Sequence, residues 1–252
     1  MADEQLQGRV ALITGGTRGI GLATAKRLTK AGAVVVVCGR SAVDLPEGIH
    51  FMACDVRDAD AVKKMVADIT EKFGGVDILV NNAGGSPPAI AATASPRFSE
   101  RVIALNLLAP LHCCQAVYPH MHAHGGAIVN IASVSAKRPS PGTAVYAAGK
   151  AGLVALTNSL AHEWGPNIRL NSIIVGYIET ENTEATYGND AEQQAISKNI
   201  AAGRLGKGNE IAEAVLFLVS DAASYVTGAE LAVHGGGESP PFLDILSEHA
   251  GS

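Results

Sequence analysis

"VALITGGTRGIGLATAKRLTKAGAVVVVCGR", residues 10–40, reads as a strand, a glycine turn, a helix and a second strand. VALIT (10–14) and VVVVC (34–38) are short continuous apolar runs, the pattern of strands buried on both faces of a parallel sheet. The stretch between them, 20–30, has helical character and is closed by Ala31-Gly32. Parallel strands cannot be joined by a tight hairpin and need a crossover of a dozen or so residues, which this helix supplies. The segment is a βαβ unit.

The same alternation continues outward. Apolar runs recur at 50–54 (HFMAC), 76–81 (VDILVN), 127–132 (AIVNIA), 170–175 (LNSIIV) and 230–234 (ELAVH), separated by helical stretches at 58–73, 98–123, 147–164 and 210–219. Seven strands joined by helices predict an α/β fold, a doubly wound and mostly parallel sheet with helices on both faces. A length of 252 residues suits one domain spanning 1–252. With 47% hydrophobic residues, 17% charged residues and 28 glycines the chain is no disordered protein. A formal net charge of −5, with no Lys/Arg block, leaves no footprint for a nucleic-acid backbone. The opening MADEQLQGRV has no apolar signal core, and no run reaches the roughly 18 apolar residues of a membrane span. The expectation is a cytoplasmic protein with small-molecule partners and no membrane or nucleic-acid partner. Cys38, Cys54, Cys113 and Cys114 show no metal or redox spacing and are expected as reduced, partly buried thiols without a function. The least regular region, 177–209, is the candidate mobile lid, and the tail, 238–252, carries an apolar FLDIL patch after Pro240-Pro241.

In an open parallel sheet, ligands bind beyond the carboxyl ends of the strands. After the first strand, TGGTRGIG (14–21) brings Gly15, Gly19 and Gly21 into the start of a helix. Glycines there let the backbone approach a pyrophosphate, which the free N–H groups of the helix terminus can hold; the same glycines would also suit a plain tight turn. After the second strand comes CGRS, where Arg40 can pair with the 2′-phosphate of NADP, with Arg18 as a second cation, or be a solvated surface charge. After the third, Asp55 either accepts a hydrogen bond from an adenine amino group or caps the next helix. After the fourth comes the small, turn-forming NNAG (81–84).

After the fifth strand stands Ser133, with Tyr146 thirteen residues on and Lys150 on the same helical face one turn later. Reducing a carbonyl by hydride creates an alkoxide that needs a proton. A Tyr, with an ordinary pKa near 10, serves at neutral pH when a neighbouring cation lowers it. Lys150 is placed to be that cation, and the Ser133 hydroxyl to bind the substrate oxygen, with Ser135 as fallback.

TGGTRGIG, NNAG, Ser133 and YAAGK (146–150), in this order along an alternating β/α chain, resemble the short-chain dehydrogenase/reductase family over about 9–237. The resemblance implies a Rossmann-type fold and an NADP(H)-dependent oxidoreductase interconverting an alcohol and a ketone or aldehyde, with NAD(H) possible as cofactor. It places the family's catalytic Asn at Asn106, completing a tetrad with Ser133, Tyr146 and Lys150. In such enzymes the Asn supports a water in a proton relay, and the Lys also grips the nicotinamide ribose. The cofactor would meet Gly15, Thr17, Arg18, Gly19, Ile20 and Gly21, then Arg40, Asp55 and Val56 at the adenosine, then Asn82, Ala83 and Gly84, and finally Tyr146, Lys150, Gly176, Ile178 and Thr180. Family members are often tetramers, so a homotetramer is expected through helices 98–123 and 147–164, with a dimer as the alternative. Three departures stand out. Val175 replaces a customary Pro before Gly176, Gly208 replaces another where it could loosen the end of the lid, and Gly149 replaces a frequent Ser.

His120, His122 and His124 lie near the end of a helix, where histidines favour the dipole, and Gly125-Gly126 end it; they are read as no metal site. Two other functional classes compete with the reductase: a nucleotide-binding sensor or scaffold without turnover, and a lyase or epimerase that keeps the cofactor. An NAD-dependent alcohol dehydrogenase is the nearer alternative.

Overall fold

The computed structural model describes residues 5–240 and Phe242. In chain order the elements are β1 (Val10–Thr14), α1 (Gly19–Lys30), β2 (Val34–Gly39), β3 (Ile49–Ala53), α2 (Ala59–Phe73), β4 (Ile78–Asn81) and α3 (Pro96–Ile103). A π-helical turn (Ala104–Leu108) leads into α4 (Ala109–His124), β5 (Gly126–Ile131) and α5 (Ala144–Glu163). Then come β6 (Ile168–Val175), β7 (Ile178–Glu179), α6 (Thr183–Tyr187), α7 (Asp190–Lys198), β8 (Gly206–Lys207), α8 (Gly208–Val219) and β9 (Glu230–Val233).

The main sheet has seven parallel strands in the order β3-β2-β1-β4-β5-β6-β9. Strand order therefore reverses between β1 and β4, which opens a crevice at their carboxyl ends. Period-two alternation divides the core. Leu12, Val36, Leu79 and Ile128 point to one face and pack with Val62 and Ile69 of α2, Cys113 and Val117 of α4, and Leu160 of α5. Ile13, Val37, Val80 and Val129 point to the other and pack with Ala25 and Leu28 of α1 and Ile211 and Val215 of α8. Both faces are dry, which is why the strands read as continuous apolar runs.

Local signals set the helix ends. Asp58 caps α2 by accepting from the amides of Asp60 and Ala61, and Gly74 ends it with φ of 93°. Ser95 accepts from Phe98 N, with Pro96 at the first helical position of α3. The stretch expected as one helix over 98–123 is instead two α-helices joined by the π-helical turn. At this turn Asn106 Nδ2 donates to both Val102 O and Gly85 O and its Oδ1 accepts from Gly85 N, all at 2.9 Å. A side chain that bonds its own preceding turn accommodates one extra residue there.

Among the described residues the continuous helical run Pro96–His124 is long and apolar enough to cross a membrane by length and composition alone. In the fold this run is a core helix, with Cys113, Cys114, Val117 and Met121 fully buried along one side. All four cysteines are free and buried, and burial pushes Cys38 and Cys114 up to about 12.

A buried polar chain fastens the sheet to α5. Asn81 Nδ2 donates to Asn130 Oδ1, Asn130 Nδ2 donates to Thr157 Oγ1, and Ser172 Oγ donates to the same oxygen, at 2.8, 2.8 and 2.9 Å. Thr157 in turn donates to Leu153 O. These bonds tie β4, β5 and β6 to α5, which carries the Tyr-Lys pair.

The region 177–209 is more regular than its composition suggests. It holds α6, α7 and the two-residue pair β7 and β8. Asn189 and Glu192 form a capping box that starts α7. At its far end the segment meets the chain after β9, where Ala202 N donates to Gly235 O and Ile200 bridges Glu238. The FLDIL patch lies outside the described residues apart from Phe242, which is exposed.

Candidate active site

The crevice at the β1/β4 reversal is a cleft of about 600 Å³. Its walls include Gly15, Thr17, Arg18, Gly19, Ile20, Arg40, Asp55, Val56, Asn82, Ala83, Gly84 and Thr180, so most of the residues expected to meet a cofactor converge on one space. Gly21 lies behind that wall, fully packed, where an added Cβ would come within 2.5 Å of Asn82 Nδ2 and Gly15 O. Gly15, at φ of 63°, is likewise pressed against Ala83, with 3.1 Å between its would-be Cβ and Ala83 Cα. Thr14 Oγ1 accepts from the amides of Asn82 and Ala83 at 3.0 Å, and Asn82 Nδ2 donates to the carbonyls of Thr14 and Gly15. The glycine turn and the NNAG turn are thereby locked together as the floor of the cleft.

These residues fit a dinucleotide. The Arg18 side chain does not cap α1, and the helix opens onto the cleft with its first amide, that of Gly19, donating to Glu181 Oε1 at 3.1 Å. No carboxylate follows β2; Arg40 stands there, exposed, as an acceptor-seeking cation beside the cleft. Asp55 does not cap the following helix, because Asp58 does. Its carboxylate receives Arg57 Nε at 2.9 Å and Nη2 at 2.5 Å, and this pairing holds it down to about 2.

Ser133 follows β5 and opens a short 3₁₀ turn, its Oγ accepting from Ser135 N at 3.2 Å. Tyr146 lies in the first turn of α5, and the Ser133 side chain acts on its phenol, favouring the ionised form. Ser135 is engaged elsewhere, by the Ser140 hydroxyl. Lys150 is 3% exposed; its Nζ donates to Ile131 O at 2.7 Å and sits 5.8 Å from the centre of the Tyr146 ring. Asn106, presented by the π-helical turn, accepts from Gly85 N and donates to Gly85 O, both at 2.9 Å. A Cβ on Gly84 would come within 2.9 Å of Asn106 Oδ1 and 3.0 Å of Lys150 Nζ. That glycine is where the cofactor cleft and the tetrad touch.

Electrostatics differ from the simple expectation at one point. Burial dominates and pushes the Tyr146 phenol above its ordinary range, against the smaller opposing effect of the Ser133 hydrogen bond. The same burial brings Lys150 down to about 8. The ammonium donates to the Ile131 carbonyl and lies beside the Tyr146 ring rather than being held by a carboxylate.

Gly176 and Ile178 do not line the cleft. Gly176 is where β6 passes β9, since a Cβ would meet His234 Cα at 2.8 Å, while Ile178 is buried under the segment that follows. Val175, in place of Pro, continues β6 into the core. Gly208 does not loosen its surroundings: it starts α8 close against Ala23 of α1, and Glu210 clamps the turn by accepting from Lys207 N and Arg204. A Cβ on Gly149 would press on Asn106 Cβ at 3.2 Å, so that glycine makes room for the Asn. The histidines are engaged locally: His120 pairs with Asp77 at 3.4 Å and His122 with the Tyr118 hydroxyl at 3.3 Å.

Two charged residues of the cleft escape motif reading, Arg57 and Glu181. Each adjoins a residue that the motifs identify, Arg57 two positions after Asp55 and Glu181 directly after Thr180. Adjacency was the available signal.

Comparison with known proteins agrees with this geometry. A family model described as enoyl-(acyl carrier protein) reductase matches residues 15–238. A 3-oxoacyl-(acyl-carrier-protein) reductase of Thermotoga maritima is 37% identical over 92% of this chain and 98% of its own. A gluconate 5-dehydrogenase of Gluconobacter oxydans is 39% identical over 92% of this chain and 95% of its own. Among solved structures, the aldohexose dehydrogenase of Thermoplasma acidophilum in ligand-free form superposes with a TM-score of 0.88 at 29% identity, covering 94% of this chain and 99% of that one.

Proposed function

Because the chain belongs to the short-chain dehydrogenase/reductase family, we propose that it interconverts an alcohol and a ketone or aldehyde with NADP(H), and that Asn106, Ser133, Tyr146 and Lys150 carry the step. The observation that bears most weight is the contact at Gly84, which sets Lys150 and Asn106 directly against the cofactor cleft. A nicotinamide bound there would supply or accept the hydride. Tyr146, kept protonated by burial, donates its phenolic proton to the carbonyl oxygen, and the Ser133 hydroxyl orients that oxygen. Lys150, brought down to about 8, gives up a proton readily near neutral pH and can restore the phenol. Asn106 holds the backbone of Gly85 and so fixes the wall between the tetrad and the cleft.

Arg40 favours the 2′-phosphate of NADP, while the exposed, charged setting around it leaves NAD(H) as the lesser cofactor. The substrate is a small carbonyl or alcohol compound, as the names of the relatives suggest. For assembly, α5 exposes Ala148, Ala151, Ala155 and Ser159, and Leu108 beside it is 41% exposed. This small-residue and apolar face supports a homotetramer, with a dimer as alternative, in the cytoplasm.

The test is a side-by-side titration with NADPH and NADH, followed by a carbonyl panel monitored by NADPH oxidation. NADPH is expected to bind more tightly, and Tyr146→Phe to keep that binding while turnover falls by about 10²- to 10⁴-fold. Comparable turnover in Tyr146→Phe refutes the assigned chemistry. Binding without oxidation across the panel favours a sensor or scaffold, and tighter NADH favours an alcohol dehydrogenase.

A further inference from the structure

Glu181 stands where no motif asks for a carboxylate. It follows Thr180 at the start of the segment that passes over the cleft, and its Oε1 accepts a hydrogen bond from the amide of Gly19 at 3.1 Å. Gly19 opens the twelve-residue helix α1, at the point where the amides lack intrahelical acceptors and the dipole is positive. In a βαβ unit this is the seat that a pyrophosphate takes. The chain thus sets one of its own anions into the anion seat of its cofactor cleft.

The placement is held from several sides. The backbone amides of Glu181 itself and of Gly19, and then Arg18 and Lys26, keep the carboxyl below its ordinary range. The turn that presents it is stitched: Thr183 Oγ1 accepts from Thr180 N at 2.7 Å and donates to Thr180 O at 2.6 Å, and Thr180 Oγ1 accepts from Asn182 N. Further along, the Tyr187 hydroxyl accepts from Ile178 N at 3.2 Å and closes the segment on itself. Glu181 and Asn182 both line the cleft wall next to Gly19.

We propose that Glu181 is an internal competitor for the pyrophosphate seat, so that cofactor binding must displace its carboxylate from Gly19 and in doing so releases segment 178–187 from α1. Resting on the cofactor reading above, this makes Glu181 a determinant of cofactor affinity. The exchange of one anion for another lowers the observed affinity by the fraction of molecules in which the seat is already filled. It also couples entry of the cofactor to movement of the segment.

Length and charge separate this competition from simple repulsion. Glu181→Asp keeps the charge but withdraws it by one methylene, out of reach of the Gly19 amide; Glu181→Gln removes the charge but keeps an acceptor at the same length. The experiment measures NADPH dissociation constants by fluorescence for the wild type, both variants and Glu181→Ala, with amide hydrogen exchange of 178–187 recorded without cofactor. Competition predicts that Asp and Ala each tighten NADPH by about fivefold, as expected for loss of one exposed charge-assisted bond. Gln falls between them and the wild type, and the segment exchanges faster in Asp and Ala. Asp binding NADPH like the wild type, while Gln and Ala tighten equally, overturns it in favour of through-space repulsion. Equal constants in all four proteins also overturn it. A wild type that binds neither NADPH nor NADH overturns the cofactor reading itself, and is recognised by that outcome alone.

Discussion

Behind Gly84, at one end of the cleft, Lys150 is 3% exposed and Asn106 fully buried, and both are held by backbone groups, Ile131 O and Gly85. At the other end, the Arg57 and Asp55 side chains are 35% and 37% exposed and held by one another, with Arg40 open to solvent. The first arrangement works in a low dielectric, where a lost hydrogen bond is costly and geometry is stiff. The second works in screened surroundings, where each charge is worth little alone and can be changed without disturbing the fold. On the proposed reading, chemistry falls to the stiff end and cofactor choice to the soft one.

The sharpest way to break this comparison is through Lys150. Its pKa falls from 10.5 to about 8 in the fold. Between those values the unfolded chain binds more protons than the folded one, so stability rises as pH climbs from about 8 towards 10. Below pH 8 the cost of the buried ammonium is fully present; it is on the order of 3 kcal/mol if the whole shift is expressed. Lys150→Met should flatten that rise in denaturation midpoints taken at pH 7.5, 8.5 and 9.5. An unchanged slope would show that the charge is solvated and the stiff end softer than described. A smaller effect is expected from Thr157→Val, which keeps the shape but leaves the Asn130 and Ser172 donors without their shared acceptor. A loss of about 1–3 kcal/mol in urea unfolding fits a dry network; a loss within a few tenths would mean that the neighbours find other partners. Arg40→Ala probes the soft end. It should weaken NADPH about tenfold, in line with loss of a charge-assisted phosphate contact, and leave NADH and thermal stability unchanged. The wild-type preference should itself shrink with added salt. A drop in melting temperature in this variant would erase the distinction between the two ends.

The strand framework was legible because both faces of the sheet are covered. Runs such as 34–38 and 127–132 end within a residue or so of β2 and β5, and no polar face blurs them. That Tyr146 and Lys150 share one side of α5 was legible for a related reason, since one helical turn places them so whatever surrounds them. What surrounds them was not. That the ammonium faces Ile131 O, and that burial raises the phenol, depend on contacts between α5 and β5 that no local pattern encodes. The helix α7 hid because its sequence, DAEQQAISK, buries no residue and so shows no apolar stripe; its start was written in Asn189 and Glu192. Arg57 and Glu181 were missed because their partners, a carboxylate two residues back and a helix end 162 residues away, are chosen by the folded chain.

The extra residue in the turn Ala104–Leu108 has a consequence for anyone redesigning this scaffold. An α-helix advances roughly 100° per residue, so trimming one position there would straighten the run from α3 to α4 into a single regular rod and swing Asn106 off Gly85. A design protocol that rewards ideal helices would register the deletion as an improvement, and a comparison of substitutions alone would never sample it. The irregular turn and the Asn106 contacts are one structural unit: the turn sets the side chain at the height where it meets both groups of Gly85.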